Sequence, residues 1–394
     1  MIGIIFWICI YIILYIYLGY PLILTILAGI RPMPSEYAPI QPSVTLIISA
    51  YNEENNIAEK LNNTLSLDYP KEKLQILVVA DGSDDRTVAI TESFAYLGIE
   101  LIYESTRLGK MAAINHAILF ARHEVVVFSD ANNYYQKDTI KELVKPFSDP
   151  TIGGVSGSKR IIKGDGVLGS VDGIYWQYEA FIKAQETRLF TCTSVSGEIF
   201  AIRRRLFNPP PVSIINDDFF IMLEVIKQGY RVVYASSAYS FERVSPNEGD
   251  EIVRRTRIIS GRYQTMIMVN PLFFLRKPIL LWQIISHKYL RLLLPFTMLG
   301  ALLTNLLAII YPSSVVQISL IHLSNPFNWL FLTLQGLFYF IAWLGNNIKG
   351  TSLLIKVLYL PTYLVNSNLA ALFGFYMYIT GGQTVIWKRA KRYD

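Results

Sequence analysis

Three apolar blocks constrain this chain more than any other feature of its sequence. Residues 1–30, 292–348 and 357–387 contain no Asp, Glu, Lys or Arg, although charged residues make up 17% of the 394-residue chain. A helix needs about 20 apolar residues to cross a bilayer, and each block is long enough for at least one such helix. The sequence therefore predicts a membrane protein with a polar domain between its apolar ends.

The basic residues lie mainly beside these apolar blocks. The net charge is +6, and its main contributors after residue 250 are Arg254, Arg255, Arg257, Arg262, Arg276, Lys277, Lys288, Arg291, Lys388, Arg389, Lys391 and Arg392. Cations in such positions contact anionic headgroups at the cytoplasmic leaflet. We therefore expect a lipid bilayer as the partner of these residues, and no nucleic acid.

The orientation of the chain follows from charges near the first block. Arg31 follows this block and no charged residue precedes it, so the positive-inside rule places the middle of the chain in the cytoplasm. A cleaved signal peptide is disfavoured, because the apolar run is too long and no basic residue precedes it. We expect a multi-pass protein of the plasma or inner membrane.

Six segments are expected along the chain. They are a transmembrane helix at 1–30 kinked near Pro21, a proline-rich linker at 31–42, a cytoplasmic domain at 43–248, amphipathic interface helices at 249–287, a transmembrane region at 288–387 and a basic tail at 388–394. Within the last apolar block, Leu353–Ile379 is expected to be a broken or hairpin element, because Pro361, Asn366 and Asn368 interrupt it. This arrangement keeps the tail in the cytoplasm.

Strand and helix patterns alternate in the polar domain. Apolar runs typical of buried strands lie at 44–49, 74–80, 100–103 and 125–129, and helical patterns lie at 57–65, 86–97, 110–121, 167–189 and 218–228. Such alternation predicts an α/β fold with a mostly parallel sheet and right-handed crossovers.

Polar side chains follow these predicted strands. They are Tyr51 and Glu53 after the first, Asp81 after the second, Lys110 after the third, and Asp130 with Asn132 after the fourth. Open α/β sheets bind ligands at the carboxyl edge, where these residues would meet. Each residue alone is also typical of a turn or a helix cap.

Together these side chains suit a nucleoside diphosphate. Tyr51 would stack on the base, Asp81 would accept a hydrogen bond from the base or ribose, and Lys110 would neutralise the diphosphate. The oxygens of Asp130 and Asn132 suit Mg²⁺ or Mn²⁺. A P-loop NTPase or a Rossmann dehydrogenase is disfavoured, since neither GxxxxGK[ST] nor GxGxxG occurs at the expected place.

This succession of motifs resembles the family-two glycosyltransferases with a GT-A fold. The resemblance covers about residues 44–291 and is strongest to membrane synthases of hyaluronan, chitin, cellulose and poly-N-acetylglucosamine. Three further motifs extend it. Ser196, Gly197 and Glu198 resemble the acceptor-side loop, Asp217 and Asp218 resemble the Glu-Asp pair, and Arg254 to Ile258 fall where these enzymes carry Gln-x-x-Arg-Trp.

The resemblance implies a fold and an activity. The fold would be an α/β GT-A domain flanked by transmembrane and interfacial helices. The activity would be inverting transfer from a UDP-sugar to a growing polysaccharide, coupled to its export. The implied catalytic residues are Asp218, the general base, and Asp217; the donor would contact Tyr51, Glu53, Asp81, Lys110, Asp130, Arg254 and Arg257; the acceptor would contact Ser196, Gly197 and Glu198; Asp130 and Asn132 would hold the metal.

Departures from the family pattern keep alternatives open. Asn132 replaces a second Asp, and Ile258 replaces a Trp that holds the acceptor sugar, so transfer of one sugar to a lipid-linked or other membrane acceptor is the alternative. A non-catalytic scaffold or pore subunit is a further one, although the retained Asp81 and Lys110 argue against it. A transporter is disfavoured because the predicted spans contain no buried charge.

Two glutamates complete the candidates. Glu179 and Glu186 lie on one face of the predicted helix 167–189. They could contact an acceptor, but we expect ordinary surface groups.

Overall fold

The computed structural model describes residues 1–34, 36–162, 166–242, 248–312, 318–347 and 353–383. The predicted basic tail at 388–394 lies outside the described residues. The polar middle of the chain folds around one mixed sheet, and apolar helices from both ends of the chain pack beside it.

Eight strands form the sheet. They are β1 (Val44–Ala50), β2 (Leu74–Asp81), β3 (Ile99–Glu104), β4 (Val125–Asp130), β5 (Asn133–Tyr135), β6 (Ile152–Ile161), β7 (Phe200–Arg203) and β8 (Arg231–Glu242), in the order β3-β2-β1-β4-β7-β6-β8-β5. β1 to β4 run parallel to one another, β6 runs parallel to β8, and the remaining neighbours are antiparallel. The mostly parallel α/β sheet expected from the sequence is therefore confirmed.

The α-helices are α1 (Ile2–Leu14), α2 (Tyr20–Ile30), α3 (Ile57–Leu65), α4 (Thr87–Glu92), α5 (Lys110–Phe120), α6 (Thr139–Val144), α7 (Gly166–Leu189), α8 (Asp217–Lys227), α9 (Glu248–Met268), α10 (Pro278–Ile284), α11 (Leu290–Ile310), α12 (Phe327–Gly345) and α13 (Leu353–Ile379). One turn of π-helix at Tyr15–Gly19 joins α1 to α2, and another at Ile285–Tyr289 joins α10 to α11.

Register places the polar strand ends at one edge of the sheet. Ala50 at the end of β1 pairs with Ala80, and Ser49 pairs with Asp130 at the end of β4. Because parallel strands end on the same side, the loops after β1, β2 and β4 lie next to one another. The candidate site is built at this edge.

Alternating side chains of the central strands fill two cores. On one face, Ile47 and Phe128 pack with α5 and α8, while Leu46 and Val127 pack on the other face with α3 and α6. The first core continues into Leu292 at the start of α11. The sheet domain and the beginning of this apolar helix therefore share one hydrophobic core.

Three helical segments in the described part of the chain are long and apolar enough to cross a membrane: Ile2–Ile30, Pro278–Ile310 and Phe327–Gly345. The second begins 10 residues before the predicted transmembrane region at 288, so part of the predicted interface segment continues directly into an apolar span. The prediction of a broken or hairpin element at Leu353–Ile379 is wrong. This segment is one helix that continues through Pro361, and Gly374 lets it pack closely against Ile259 of α9.

Candidate active site

The loops after β1 and β2 are joined by hydrogen bonds. Asn52 and Asp84 bond reciprocally, with the Asn52 Nδ2 donating at 2.6 Å and the Asp84 backbone N–H donating back at 3.0 Å. The backbone N–H of Glu53 donates to Thr87 Oγ1, and the Glu53 carboxylate accepts from Asn56 Nδ2 at 2.6 Å. Glu53 is buried, and these hydrogen bonds fix the loop after β1 at the edge of the sheet, where it forms one wall of the candidate site.

Asp81 fixes the loop that leads to Lys110. Its two carboxylate oxygens accept from the backbone N–H groups of Leu108 and Gly109, each at 2.8 Å. The loop also covers the predicted base platform, because the Arg107 guanidinium lies 3.5 Å from the centre of the Tyr51 ring. Asp81, Tyr51 and the start of α5 are thus brought to one place, as the sequence predicted.

Lys110 connects the strand-end carboxylate to the carboxylate pair of α8. Its ammonium lies 2.8 Å from Asp130 Oδ1 and 3.2 Å from Asp217 Oδ2. Burial would lower the pKa of Lys110, but the charges of Asp130 and Asp217 outweigh burial and raise that pKa above its usual range. Lys110 is therefore a permanent cation at the centre of the site.

Asp218 differs from its neighbour because no cation among the described residues contacts it directly. Its oxygens accept from the backbone N–H of Gly197 at 3.0 Å and from its own helix at Phe219 N–H, 2.6 Å. Burial raises the pKa of Asp218 to about 6, and the nearby Asp217 carboxylate adds to the rise. A carboxylate with that pKa is ionised near neutrality and is a stronger proton acceptor than a free aspartate.

The three residues of the predicted acceptor loop make different contacts. Gly197 holds Asp218, and a Cβ at Gly197 would lie 3.1 Å from Asp218 Cβ, so glycine permits the close approach. Ser196 accepts from Lys183 Nζ at 3.1 Å. The buried Glu198 carboxylate forms an ion pair with Lys159 at 2.8 Å, so it faces the sheet interior.

The arginines of α9 point in different directions. Arg257 lies among the charges of the site: burial lowers its pKa, while Asp217 and Asp130 oppose that shift. Arg254 contributes a neighbouring positive charge. Arg255 instead donates to Ser367 on α13 and lies over the Tyr363 ring at 4.5 Å. The structure therefore brings Arg257 to the carboxylates of β4 and α8.

The side-chain oxygen of Asn132 is available as a ligand. Asn132 Oδ1 is buried and has no hydrogen-bond partner among the described residues. Asp130 precedes it by two residues at the end of β4. The described residues contain no group of three or more His, Cys, Asp or Glu side chains that could hold a metal. This donor set fits an ion held by few protein oxygens and completed by phosphates, which is typical of Mg²⁺ and related cations.

The sequence analysis misjudged Glu179 and Glu186. Both are buried, at 3% and 0% exposure, and each contacts one ring nitrogen of His287, at 3.3 Å and 2.7 Å. Glu179 also pairs with Arg291. The expectation that spans contain no buried charge is wrong as well, since the apolar helix Pro278–Ile310 contains the buried Lys288. In the sequence, the i, i+7 spacing of the two glutamates, which puts them on one face of the helix, was the one signal that they act together.

Lys60 is a second buried cation that the sequence analysis missed. Its ammonium donates to Ser129 Oγ and to the backbone oxygen of Asn133, both at 2.8 Å. Burial lowers its pKa to about 7. Lys60 thereby connects α3 to the end of β4, which carries Asp130, and to the start of β5. Asn132 lies between these two strands.

Comparison with known proteins agrees with this geometry. The model of the domain described as glycosyl transferase family 2 matches residues 45–208. The poly-β-1,6-N-acetyl-D-glucosamine synthase of Staphylococcus aureus is 26% identical over 233 residues, which is 57% of this chain and 55% of the relative. A probable glycosyltransferase of Bacillus subtilis, YdaM, is 27% identical over 246 residues, covering 59% of this chain and 58% of the relative. The matches thus span little more than half the length of these curated relatives.

A solved structure shares nearly the whole fold. The mannosyltransferase PcManGT from Pyrobaculum calidifontis, solved with GDP-mannose and Mn²⁺, superposes with a TM-score of 0.72 at 24% identity. The superposition covers 96% of this chain and 100% of that structure. Residues 45–208 therefore match the glycosyl transferase family 2 domain, and nearly the whole chain shares the fold of a solved mannosyltransferase.

Proposed function

We propose that the chain is an inverting, divalent-metal-dependent glycosyltransferase that moves a sugar from a UDP-sugar to a carbohydrate acceptor at the membrane. The carrying observation is the position of Lys110, which contacts Asp130 at the end of β4 and Asp217 at the start of α8. This contact supports the proposal because it joins the predicted donor carboxylate to Asp217, the residue next to the predicted general base Asp218. A fold retained without activity would have no need for such a compensated set of charges.

Asp130 and Asn132 would hold the metal. The unpartnered Asn132 Oδ1 supports this assignment, because a buried acceptor without a hydrogen bond is costly unless a ligand satisfies it. When bound, Mg²⁺ or Mn²⁺ would neutralise the donor diphosphate and stabilise the charge that develops on it. Lys110 and Arg257 provide further positive charge around the same carboxylates.

Asp218 acts as the general base. An acceptor hydroxyl attacks the anomeric carbon of the donor sugar, and its proton passes to an Asp218 oxygen. The new bond joins the acceptor oxygen to the anomeric carbon, while the bond from that carbon to the diphosphate oxygen breaks and leaves its electron pair on the nucleoside diphosphate. A single displacement of this kind inverts the anomeric configuration. Lys110 and Arg257 lie where they can stabilise the leaving charge.

The acceptor has two candidates. A growing polysaccharide is supported by similarity to the Staphylococcus aureus synthase named for its poly-β-1,6-N-acetyl-D-glucosamine product. A lipid-linked acceptor that receives one sugar is supported by Ile258, which provides no aromatic face for a sugar, and by cations at the membrane end of the site. Product length with purified protein and labelled donor separates these two candidates.

We propose that the apolar helices hold this chemistry at a bilayer. Three apolar helices lie beside the domain, and Arg31 directly follows the first of them. By the positive-inside rule, we propose that the domain lies in the cytoplasm and that the helices lie in the plasma or inner membrane. Donors of the nucleotide-sugar class are made in the cytoplasm, and export of a polymer through the C-terminal helices would complete the polysaccharide candidate.

A donor screen tests the proposed function. The full-length protein in detergent is given UDP- and GDP-sugars in turn, and nucleoside diphosphate release is measured with Mn²⁺, with Mg²⁺ and with a chelator. We expect metal-dependent release with one UDP-sugar. Release that is unaffected by a chelator would contradict the metal assignment.

A further inference from the structure

Three cations at the junction between the domain and the membrane helices are incompletely paired. Lys288 is 3% exposed, and its one described contact is with the Phe219 ring, 5.9 Å from the ammonium. Arg262 Nε and Arg291 Nη2 are buried N–H groups without a hydrogen-bond partner in the described part of the chain. We call Arg262, Lys288 and Arg291 the junction cations.

Among the described residues, the neighbouring carboxylates form an ion pair with only one of the junction cations, Arg291. Glu179 pairs with Arg291 and His287. Glu186 is taken up by His287, by Tyr20 OH at 2.6 Å and by Thr193, whose backbone N–H donates at 2.8 Å. Among the described residues, Lys288 and Arg262 therefore have no carboxylate of their own. Buried positive charge without a partner is unfavourable, which points to an anionic ligand.

The junction cations border the general base on its membrane side. Phe219, which lies under the Lys288 ammonium, directly follows Asp218. On α9, a Cβ at Gly261 would lie 2.8 Å from Asn216 Cβ, so the residue before Arg262 packs against the segment that enters α8. Lys110 contacts Asp130 and Asp217 at the sheet edge instead. Two groups of cations thus lie near one base.

We propose that the junction cations bind the phosphate or diphosphate of a membrane-anchored acceptor and so hold its sugar hydroxyl at Asp218. This inference rests on the proposed function and assigns its acceptor class. Guanidinium groups offer paired donors that match phosphate oxygens, and an ammonium adds a point charge. A lipid anchor follows from position, because residues 292–310 continue from the junction as a charge-free helix. The donor diphosphate has its own cations at Lys110 and Arg257.

Paired acceptors test the assignment. Full-length protein in phospholipid-free detergent receives the donor found in the screen and one of two acceptors: an alkyl diphosphate-linked N-acetylglucosamine, or the neutral alkyl N-acetylglucosaminide with the same chain. The variants are Lys288→Met, which keeps the apolar stem, and Arg262→Gln. Arg276→Gln removes an exposed cation from the same region and is the control. Nucleoside diphosphate binding by each variant verifies its fold.

We expect the wild type to favour the phosphate acceptor, and each junction variant to raise its KM by roughly tenfold or more, the loss typical of a charged hydrogen bond. The KM of the neutral acceptor and the behaviour of Arg276→Gln should not change. Equal KM values for both acceptors in the wild type, or equal losses on both in the variants, would overturn the inference.

Added phosphatidylglycerol distinguishes an acceptor from a structural lipid. If this phospholipid raises activity equally with both acceptors, the junction cations hold a bilayer lipid and the inference is wrong. If it acts only as a competitor of the phosphate acceptor, the inference is supported. Absence of nucleoside diphosphate release with every donor would reject the proposed function itself, whereas transfer to the neutral acceptor alone would reject only the inference about the acceptor.

Discussion

At the scale of single residues, the three aspartates of the site differ in how their charges are compensated. Asp130 and Asp217 share the Lys110 ammonium. In the described part of the chain, Asp218 accepts hydrogen bonds only from backbone N–H groups, and burial raises its pKa to about 6. Asp130 and Asp217, which contact Lys110, are suited to remain ionised, and Asp218, which does not, is suited to accept a proton. Sequence analysis named all three residues, but it did not predict that Lys110 joins Asp130 to Asp217, because that contact depends on how α5 and α8 pack.

The raised pKa of Asp218 predicts an acid limb in the pH profile of transfer. The base works only when ionised, so kcat/KM should be constant above about pH 7 and fall about tenfold per unit below the pKa of about 6. Transfer rates at saturating metal between pH 5 and 8 measure this limb. A profile that is flat through pH 6 would show that proton transfer to Asp218 does not limit the reaction.

Asn132 gives a second prediction at this scale. Asn132→Ala removes the unpartnered oxygen, so the Mn²⁺ concentration for half-maximal rate should rise, and Asn132→Asp should lower it by adding a negative charge. The measurement is a Mn²⁺ titration of nucleoside diphosphate release. An unchanged titration in Asn132→Ala would mean that the second metal ligand lies elsewhere.

At the scale of elements, the turn after β2 determines where the loop before α5 lies. Gly82 has φ of 65°, and a Cβ there would lie 2.5 Å from the backbone nitrogen of Arg107. Only glycine allows both this conformation and this close approach. The turn thereby places the loop whose N–H groups bind Asp81 and whose end carries Lys110.

Gly82→Ala should reduce donor affinity by displacing that loop. Gly229→Ala is a matched control, because Gly229 has φ of 95° and nothing lies within 4 Å of its Cβ position. Both variants should lose about 1–2 kcal/mol of stability to backbone strain. Gly82→Ala should lose more because its Cβ meets the Arg107 backbone, and only this variant should weaken UDP binding. Isothermal titration with UDP and thermal unfolding measure the two effects. Equal UDP affinity in both variants would show that the loop does not shape the donor site.

The same scale explains what the sequence could predict. The strands β1 to β4 and helices α3, α5, α7 and α8 have local apolar patterns, and each was located to within a few residues. β6 was missed because it contains Gly153, Gly154 and Gly157, which are untypical of strands. A Cβ at Gly153 would lie 2.6 Å from both Leu206 and Tyr230, so these glycines reflect contacts between distant segments. Such contacts leave no local pattern.

At the scale of the whole molecule, buried polar groups join the domain to the membrane helices. Glu186 of α7 contacts Tyr20 of α2 and His287 of the helix Pro278–Ile310. Trp282 donates to Tyr15 OH at 2.9 Å in the same region. The two apolar helices and the sheet domain are therefore fixed to one another by hydrogen bonds and charge, which a hydropathy pattern does not reveal.

Glu186→Gln should lower the free energy of unfolding by about 1–3 kcal/mol, because the buried groups of Tyr20, Thr193 and His287 lose their charged hydrogen-bond acceptor. Glu224→Gln is the control: Glu224 pairs with Lys227 on the same helix, and partly exposed pairs contribute less than about 1 kcal/mol. Denaturation in detergent, followed by tryptophan fluorescence, compares them. Similar stability of both variants would mean that the Glu186 cluster does not hold the domain to the helices.

The most direct test of the account compares Asp218→Asn with the wild type in transfer and in nucleotide binding. Loss of the base should lower kcat by roughly 10²–10⁴-fold, while UDP affinity, which depends on Lys110 and the loops after β1 and β2, stays within about twofold. Single-turnover transfer with the identified donor and titration with UDP provide the two values. Transfer by Asp218→Asn at a rate close to that of the wild type would contradict the central claim that Asp218 accepts the proton of the acceptor hydroxyl.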